Sequence, residues 1–165
     1  IRARYLNPED VKKGKYRPVY NGGILYSHPT GRTFYGIFEN HPIIEKKHTV
    51  VIFEGEKSVL HYNSIYGAEN NIALATLGQN ITKDHIQYLL KMKVKNIILA
   101  YDTDYEDYTQ LMEVEAKYRA KAKILEPYFN VSYLIDYDFD LPYKSSPIDG
   151  GKEIFEKILK NRRIV

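Results

Sequence analysis

The chain of 165 residues contains neither cysteine nor tryptophan. Without thiols no disulfide can form, and a structural zinc site loses its usual ligands. The five histidines, His28, His41, His48, His61 and His85, show no close ligand spacing and read as surface or packing residues. No apolar run approaches the length of a membrane span, and no signal-peptide pattern opens the sequence. Two nucleotide signatures are missing as well. There is no Gly-x-x-x-x-Gly-Lys-Ser/Thr phosphate loop of the helicase kind. No Gly-x-Gly-x-x-Gly follows any predicted strand, which sets aside a dinucleotide-cofactor fold of Rossmann type. The first residue is Ile, so the chain is expected to be a piece of a larger protein.

What is present is an ordinary globular composition, 44% hydrophobic and 27% charged, with an uneven charge distribution. Residues 1–47 carry nine Lys or Arg against four Asp or Glu, a net of +5, and the remainder is slightly acidic. That segment is also punctuated by Pro8, Pro18, Pro29 and Pro42, with Gly22-Gly23 and Gly31 between short aromatic and β-branched runs. It predicts a small antiparallel, non-helical lead-in. From His48 the rhythm changes to strand and helix in alternation, which predicts a mainly parallel four-stranded α/β sheet over residues 48–165. The strands fall at 49–53, 72–76, 96–101 and 131–135. The helices fall at about 56–66, 82–92, 107–128 and 151–161, the second capped by Thr82 and turned inward through Ile86, Leu89, Leu90 and Val94.

Two of those strands run straight into acids. Val50-Val51-Ile52-Phe53 meets Glu54-Gly55-Glu56-Lys57, and Ile97-Ile98-Leu99-Ala100-Tyr101 meets Asp102-Thr103-Asp104. Continuous apolar runs are the mark of strands buried on both faces. In open α/β sheets ligands bind beyond the carboxyl ends of such strands. Asp102 and Asp104 repel one another unless a cation neutralises them, so they are expected to hold Mg²⁺ or Mn²⁺, whose preferred ligands are oxygens. Glu54 either completes that site or serves as a general acid or base. Gly55 and Gly78 are expected to permit tight backbone turns.

Together these motifs resemble the Toprim domain, shared by bacterial and phage DNA primases, topoisomerases and some nucleases. The glutamate after its first strand corresponds to Glu54, the glycine turn after its second to Gly78, and its Asp-x-Asp to Asp102 and Asp104. The finer resemblance is to bacterial or phage-type primases. It lies in Phe34-Tyr35-Gly36-Ile37-Phe38 leading into Glu54-Gly55, in Thr76-Leu77-Gly78 with Thr82-Lys83-Asp84-His85, and in Tyr101-Asp102-Thr103-Asp104. It covers residues 34–155. Two departures stand out: Ser58 occupies a position where primases usually carry an aspartate, and Ser145-Ser146-Pro147-Ile148-Asp149 keeps only part of a later acidic cluster. Asp149 is therefore a candidate second metal ligand, with the N-cap of the last helix as its other reading. Asp136, Asp138 and Asp140 either face the site or line a solvated loop.

The resemblance implies a primase catalytic-core fragment that joins ribonucleotides on single-stranded DNA, in the cytoplasm at the replication fork. Nucleoside triphosphates would be substrates, and docking of a replicative helicase stays open. The basic residues Arg2, Arg4, Lys12, Lys13, Lys15, Arg17, Arg32 and Lys57 are candidates for phosphate contacts, with Tyr16, Tyr20 and Tyr26 as possible stacking groups. A phosphodiester-cleaving Toprim nuclease and a non-catalytic nucleic-acid-binding module remain the alternatives.

Overall fold

The computed structural model describes residues 2–13, 16–21, 24–25 and 29–165, the side chains of residues 2, 16, 18, 20, 21, 24 and 25 excepted. The expected Gly22-Gly23 turn, His28, Tyr26 and Lys15 lie outside the described residues, as do the side chains of Arg2, Tyr16 and Tyr20. The chain divides into two compact units, Ile1–Thr30 and Gly31–Val165.

In the first unit β1 (Arg2–Arg4) pairs antiparallel with β2 (Tyr16–Pro18), and β3 (Tyr20–Asn21) with β4 (Ile24–Leu25). Between β1 and β2 sits a single helical turn, α1 (Pro8–Val11). Asn7 caps it by accepting from the Glu9 amide, and Pro8 occupies the first helical position, where a missing N–H costs nothing.

The second unit is a three-layer α/β domain. Its sheet has the order β6-β5-β7-β8-β9, built from β5 (Thr49–Phe53), β6 (Ala73–Ala75), β7 (Asn96–Ala100), β8 (Asn130–Tyr133) and β9 (Arg163–Ile164). The first four are parallel, as the apolar runs predict, and β9 adds an antiparallel edge where the sequence suggested only the end of a helix. A two-residue strand ending in Arg163-Ile164 carries no periodic signal, and its pairing with Ser132 and Tyr133 is purely a tertiary event. Alternation along β5 sends Val50 and Ile52 into one core and Val51 and Phe53 into the other. Leu89 of α4 (Lys83–Lys91) and Leu111, Val114 and Tyr118 of α5 (Tyr108–Leu125) pack in the first core. Val59 and Tyr62 of α3 (Glu56–Tyr66) and Phe155 and Ile158 of α6 (Gly151–Lys160) pack in the second.

Residues 37–47, expected to be non-helical, form α2 (Ile37–Lys47) with Pro42 inside it. The proline removes one helical hydrogen bond, and two tertiary features outweigh that loss. Ile44 is fully buried, and the buried Asn40 amide donates to the Ala73 carbonyl oxygen at 2.8 Å. The helix starts at Gly36, whose φ of 82° favours glycine; a Cβ there would also lie 3.1 Å from a Val59 methyl.

Helix α4 begins at Thr82 as expected, but its inward face differs. Leu90 is half exposed, and His85, one of the histidines read as surface or packing residues, is a packing residue and fully buried. His85 Nδ1 accepts from the Thr82 amide while Nε2 lies 3.0 Å from the Thr33 carbonyl oxygen. A carbonyl only accepts, so the ring is the neutral Nε2–H tautomer, and its cap bonds replace the solvation lost on burial.

Candidate functional site

Strand β5 lies at the centre of a topological reversal. The chain leaves it through α3 to β6 on one side, then crosses back through α4 to β7 on the other. A crevice opens where neighbouring strands send their connections in opposite directions. In register, Phe53 pairs with Ala100 on β7 and with Ala75 on β6. The next residues out of the sheet are therefore Glu54, Tyr101-Asp102 and Thr76, all at one edge.

Each segment at that edge is pinned. The Gly78 amide donates to the Glu54 carbonyl oxygen at 3.1 Å, and the Thr76 amide donates to that of Phe53 at 3.2 Å, so the turn after β6 is fastened to the end of β5. Gly78 has φ 152° with no atom within 4 Å of a would-be Cβ, so its backbone angle alone favours glycine. Gly55 does not meet its expectation. Its φ of −120° and ψ of 156° are extended values open to any residue, and it acts simply as the N-cap of α3. The Asp102-Thr103-Asp104 turn is held from two sides. The Thr103 amide donates to the Ser145 carbonyl oxygen at 2.9 Å, and its hydroxyl to that of Pro142 at 2.9 Å. On the other side the Tyr118 hydroxyl of α5 donates to the Asp102 carbonyl oxygen.

The side chains converge through a residue that the sequence did not single out. Gln79 Nε2 donates to Glu54 Oε2 at 3.1 Å and to Asp104 Oδ2 at 3.0 Å, while Lys121 Nζ donates to Gln79 Oε1 at 3.1 Å. Two signals could have found them: Gln79 directly follows the Gly78 turn, and Lys121 sits three residues from Tyr118 on the inward side of α5.

The electrostatics follow from crowding acids in a half-buried edge. Asp102 is pushed up to about 7, first by burial and then by the charges of Glu54, Asp104 and Asp149, with Lys57 opposing. Glu54 is raised by burial and by Asp104, with the Gln79 bond and the Lys121 charge pulling the other way. Burial lowers Lys121, while Glu54 and Asp104 raise it.

Asp149 belongs to the same electrostatic neighbourhood but is not the cap of α6, a position taken by Gly150. Asp149 Oδ2 instead accepts from the Ser146 amide at 3.2 Å. Lys57 Nζ lies 3.1 Å from Asp149 Oδ1, an ion pair without hydrogen-bond alignment, and Oδ1 is buried with no hydrogen-bond donor. Ser58 is buried in the first turns of α3.

Among the described residues no three acids or histidines converge tightly enough to hold a metal ion as they stand. The donor set nonetheless suits one: three carboxylates that each repel Asp102, and on Asp149 a buried oxygen lacking a hydrogen-bond partner. Asp102, Asp104 and Asp149 would be the oxygen ligands of a hard divalent cation, with Glu54 beside them.

Asp136 is buried and accepts from the Leu141 amide at 2.8 Å, while Asp138 and Asp140 both pair with Lys157. In the first unit Arg17 is engaged internally, 3.0 Å from Asp10 Oδ1 and stacked 3.7 Å over the Tyr5 ring, and Lys12 pairs with Glu9. Arg4, Lys13 and Arg32 are exposed.

Residues 51–140 match the Toprim-like family. The chain belongs to the Toprim-like family. This Toprim domain is 36% identical to the SPbeta prophage-derived uncharacterized protein YorJ of Bacillus subtilis (strain 168), over 98% of this chain and 45% of YorJ. Its fold matches the Aquifex aeolicus primase (zinc-binding and RNA polymerase domains) with a TM-score of 0.66 at 21% identity, over 99% of this chain and 37% of that one. It matches the E. coli primase catalytic core with a TM-score of 0.61 at 25% identity, over 99% of this chain and 48% of that one. The chain thus spans less than half the length of these proteins. Among the described residues no helix is long and apolar enough to cross a membrane.

Proposed function

We propose that this Toprim domain is the catalytic-core segment of a phage-type DNA primase, a nucleotidyltransferase that joins ribonucleotides on a single-stranded DNA template at the replication fork. The observation that carries this reading is the delivery of Glu54, Asp102 and Asp104 by adjacent strands to the switch point of a sheet shared with primase cores. The template and the nucleoside triphosphates are polyanions, and Arg4, Lys13, Arg32 and Lys57 are exposed cations suited to their phosphates.

When Mg²⁺ or Mn²⁺ is bound, it supplies Lewis-acid polarisation of the phosphoryl group and charge neutralisation of the leaving group. Asp102, Asp104 and Asp149 are the residues assigned to hold it. Glu54, raised by burial and beside the two aspartates, is suited to accept a proton from the attacking 3′-hydroxyl. The turn through Thr103, clamped by Pro142 and Ser145, keeps the two aspartates at a fixed stagger. Lys57, exposed beside Asp149, would meet the triphosphate tail.

The test pairs titration calorimetry of Mn²⁺ into the wild-type chain and an Asp102→Ala/Asp104→Ala variant with a primer-synthesis assay on single-stranded DNA. Saturable binding lost in the variant, together with template-dependent RNA product, supports the reading. Cleavage of DNA or RNA with no nucleotide added would replace it with the nuclease reading. Salt-sensitive DNA binding with neither metal binding nor product would leave a binding module.

A further inference from the structure

A tight turn after a strand needs no long polar side chain, yet Gln79 extends from the Gly78 turn and turns its amide nitrogen to the acids and its oxygen to a lysine. Its nitrogen lies 3.1 Å from Glu54 Oε2 and 3.0 Å from Asp104 Oδ2, and its oxygen 3.1 Å from Lys121 Nζ. An amide offers two N–H donors at one end and only acceptors at the other; a carboxylate only accepts and an ammonium only donates. One orientation therefore satisfies every partner. The flipped amide would set an oxygen against two carboxylates and N–H groups against a cation, so Lys121 fixes which way the amide faces.

The bridge has a second property. It brings donors to two mutually repelling acids without adding a charge. A lysine in the same place would neutralise one carboxylate outright and compete with any cation for both. The amide engages Oε2 and Oδ2 and leaves Oε1 of Glu54 and Oδ1 of Asp104 outside the bridge. Glu54 belongs to the end of β5 and Asp104 to the turn beyond β7, so nothing in the sheet ladder itself fixes their side chains relative to one another.

The geometry points to Gln79 as a positioning residue that sets the spacing and facing of Glu54 and Asp104, with Lys121 locking its amide. Its consequence for catalysis rests on the primase reading; the clamp itself does not. Gln79 touches neither substrate nor metal in this role and acts only through the two acids.

The experiment is a thermal-unfolding cycle in EDTA on the full chain, using Gln79→Met, Asp104→Asn and the double variant, with primer synthesis measured in parallel. Methionine keeps the length of the side chain and removes both donors. Q79M should lower Tm on the order of 5 °C, and by less than half as much in the D104N background, where the repulsion being bridged is gone. A side chain that merely packs would give equal losses in both backgrounds, and that additivity would overturn the clamp. Should Q79M not fold, K121M with D104N supplies the same cycle, with a smaller but still non-additive loss expected. In primer synthesis Q79M should lower kcat by roughly 100-fold with KM for nucleotide little changed. A wild-type chain that makes no primer would sink the primase reading while the EDTA cycle still decides the clamp.

Discussion

The Tyr118 hydroxyl donates to the Asp102 carbonyl oxygen at 2.5 Å, so helix α5 grips the acidic turn through its backbone, independently of the carboxylates. Tyr118 is buried, and its ring meets that of Tyr101 edge-on at 5.4 Å. Tyr118→Phe keeps the ring contacts and deletes only the bond. It should cost about 1–2 kcal/mol, read as a lower urea midpoint with an unchanged slope. Mn²⁺ affinity measured by calorimetry should fall as the turn loosens. Full stability with weakened metal binding would place the effect of the bond in the site alone.

Asp102 makes stability depend on pH in the direction opposite to a salt-bridged acid. Burial and three neighbouring carboxylates raise its folded pKa to about 7, above the ordinary value of 3.8. Between those values the folded state binds more protons than the unfolded state, so this group's contribution falls as pH rises through the window and is fully lost above pH 7. Asp102→Asn should therefore raise stability at pH 8, by on the order of 2 kcal/mol after solvent screening, and change little at pH 4. Thermal melts across pH 4 to 8 in EDTA check both ends. Because a cation must displace that proton, Mn²⁺ should raise the wild-type Tm more at pH 8 than at pH 5.5.

The parts legible in sequence were those encoded locally. Val50-Val51-Ile52-Phe53 and Ile97-Ile98-Leu99-Ala100 announce doubly buried strands because the layers on both sides demand apolar residues at every position. The acids that follow them are therefore placed at the sheet edge without knowledge of the helices. Gln79, Lys121 and Tyr118 were not legible, because each gains its meaning from a partner 16 to 42 residues away. Helix α2 was hidden by Pro42, a local breaker overruled by Ile44 and Asn40 making tertiary contacts. The capping role of Asp149 failed for a related reason: Ser146 draws its carboxylate back into the preceding turn.

Asn40 tests that account of α2. Its amide is buried and donates to the Ala73 carbonyl oxygen at 2.8 Å, fastening the helix to strand β6 at the sheet edge. Asn40→Leu fills the space but leaves that carbonyl oxygen without this donor, which should cost about 1–3 kcal/mol. Hydrogen exchange should then show residues 37–47 opening ahead of the sheet. If the loss instead appears as uniform destabilisation, α2 is an integral part of the cooperative unit and Pro42 is tolerated for that reason.

Lys57 and Asp149 yield a prediction whose sign separates two roles for the lysine. The ammonium lies 3.1 Å from Asp149 Oδ1, the buried oxygen that has no hydrogen-bond donor, and is itself largely exposed. If that oxygen receives a metal ion, Lys57 competes with the ion for it. The lysine of the pair is largely exposed, which holds its worth to about 0.2–1 kcal/mol, so Lys57→Met should tighten Mn²⁺ binding by no more than about fivefold. Asp149→Asn should weaken it. Nucleotide affinity should move the other way in the lysine variant, because the same side chain then no longer meets the triphosphate. Calorimetry with Mn²⁺ alone, followed by nucleotide at saturating Mn²⁺, separates the two effects. Weaker metal binding in K57M would show that the lysine holds Asp149 in place, which would make it part of the site's scaffold and remove it from the set of phosphate ligands.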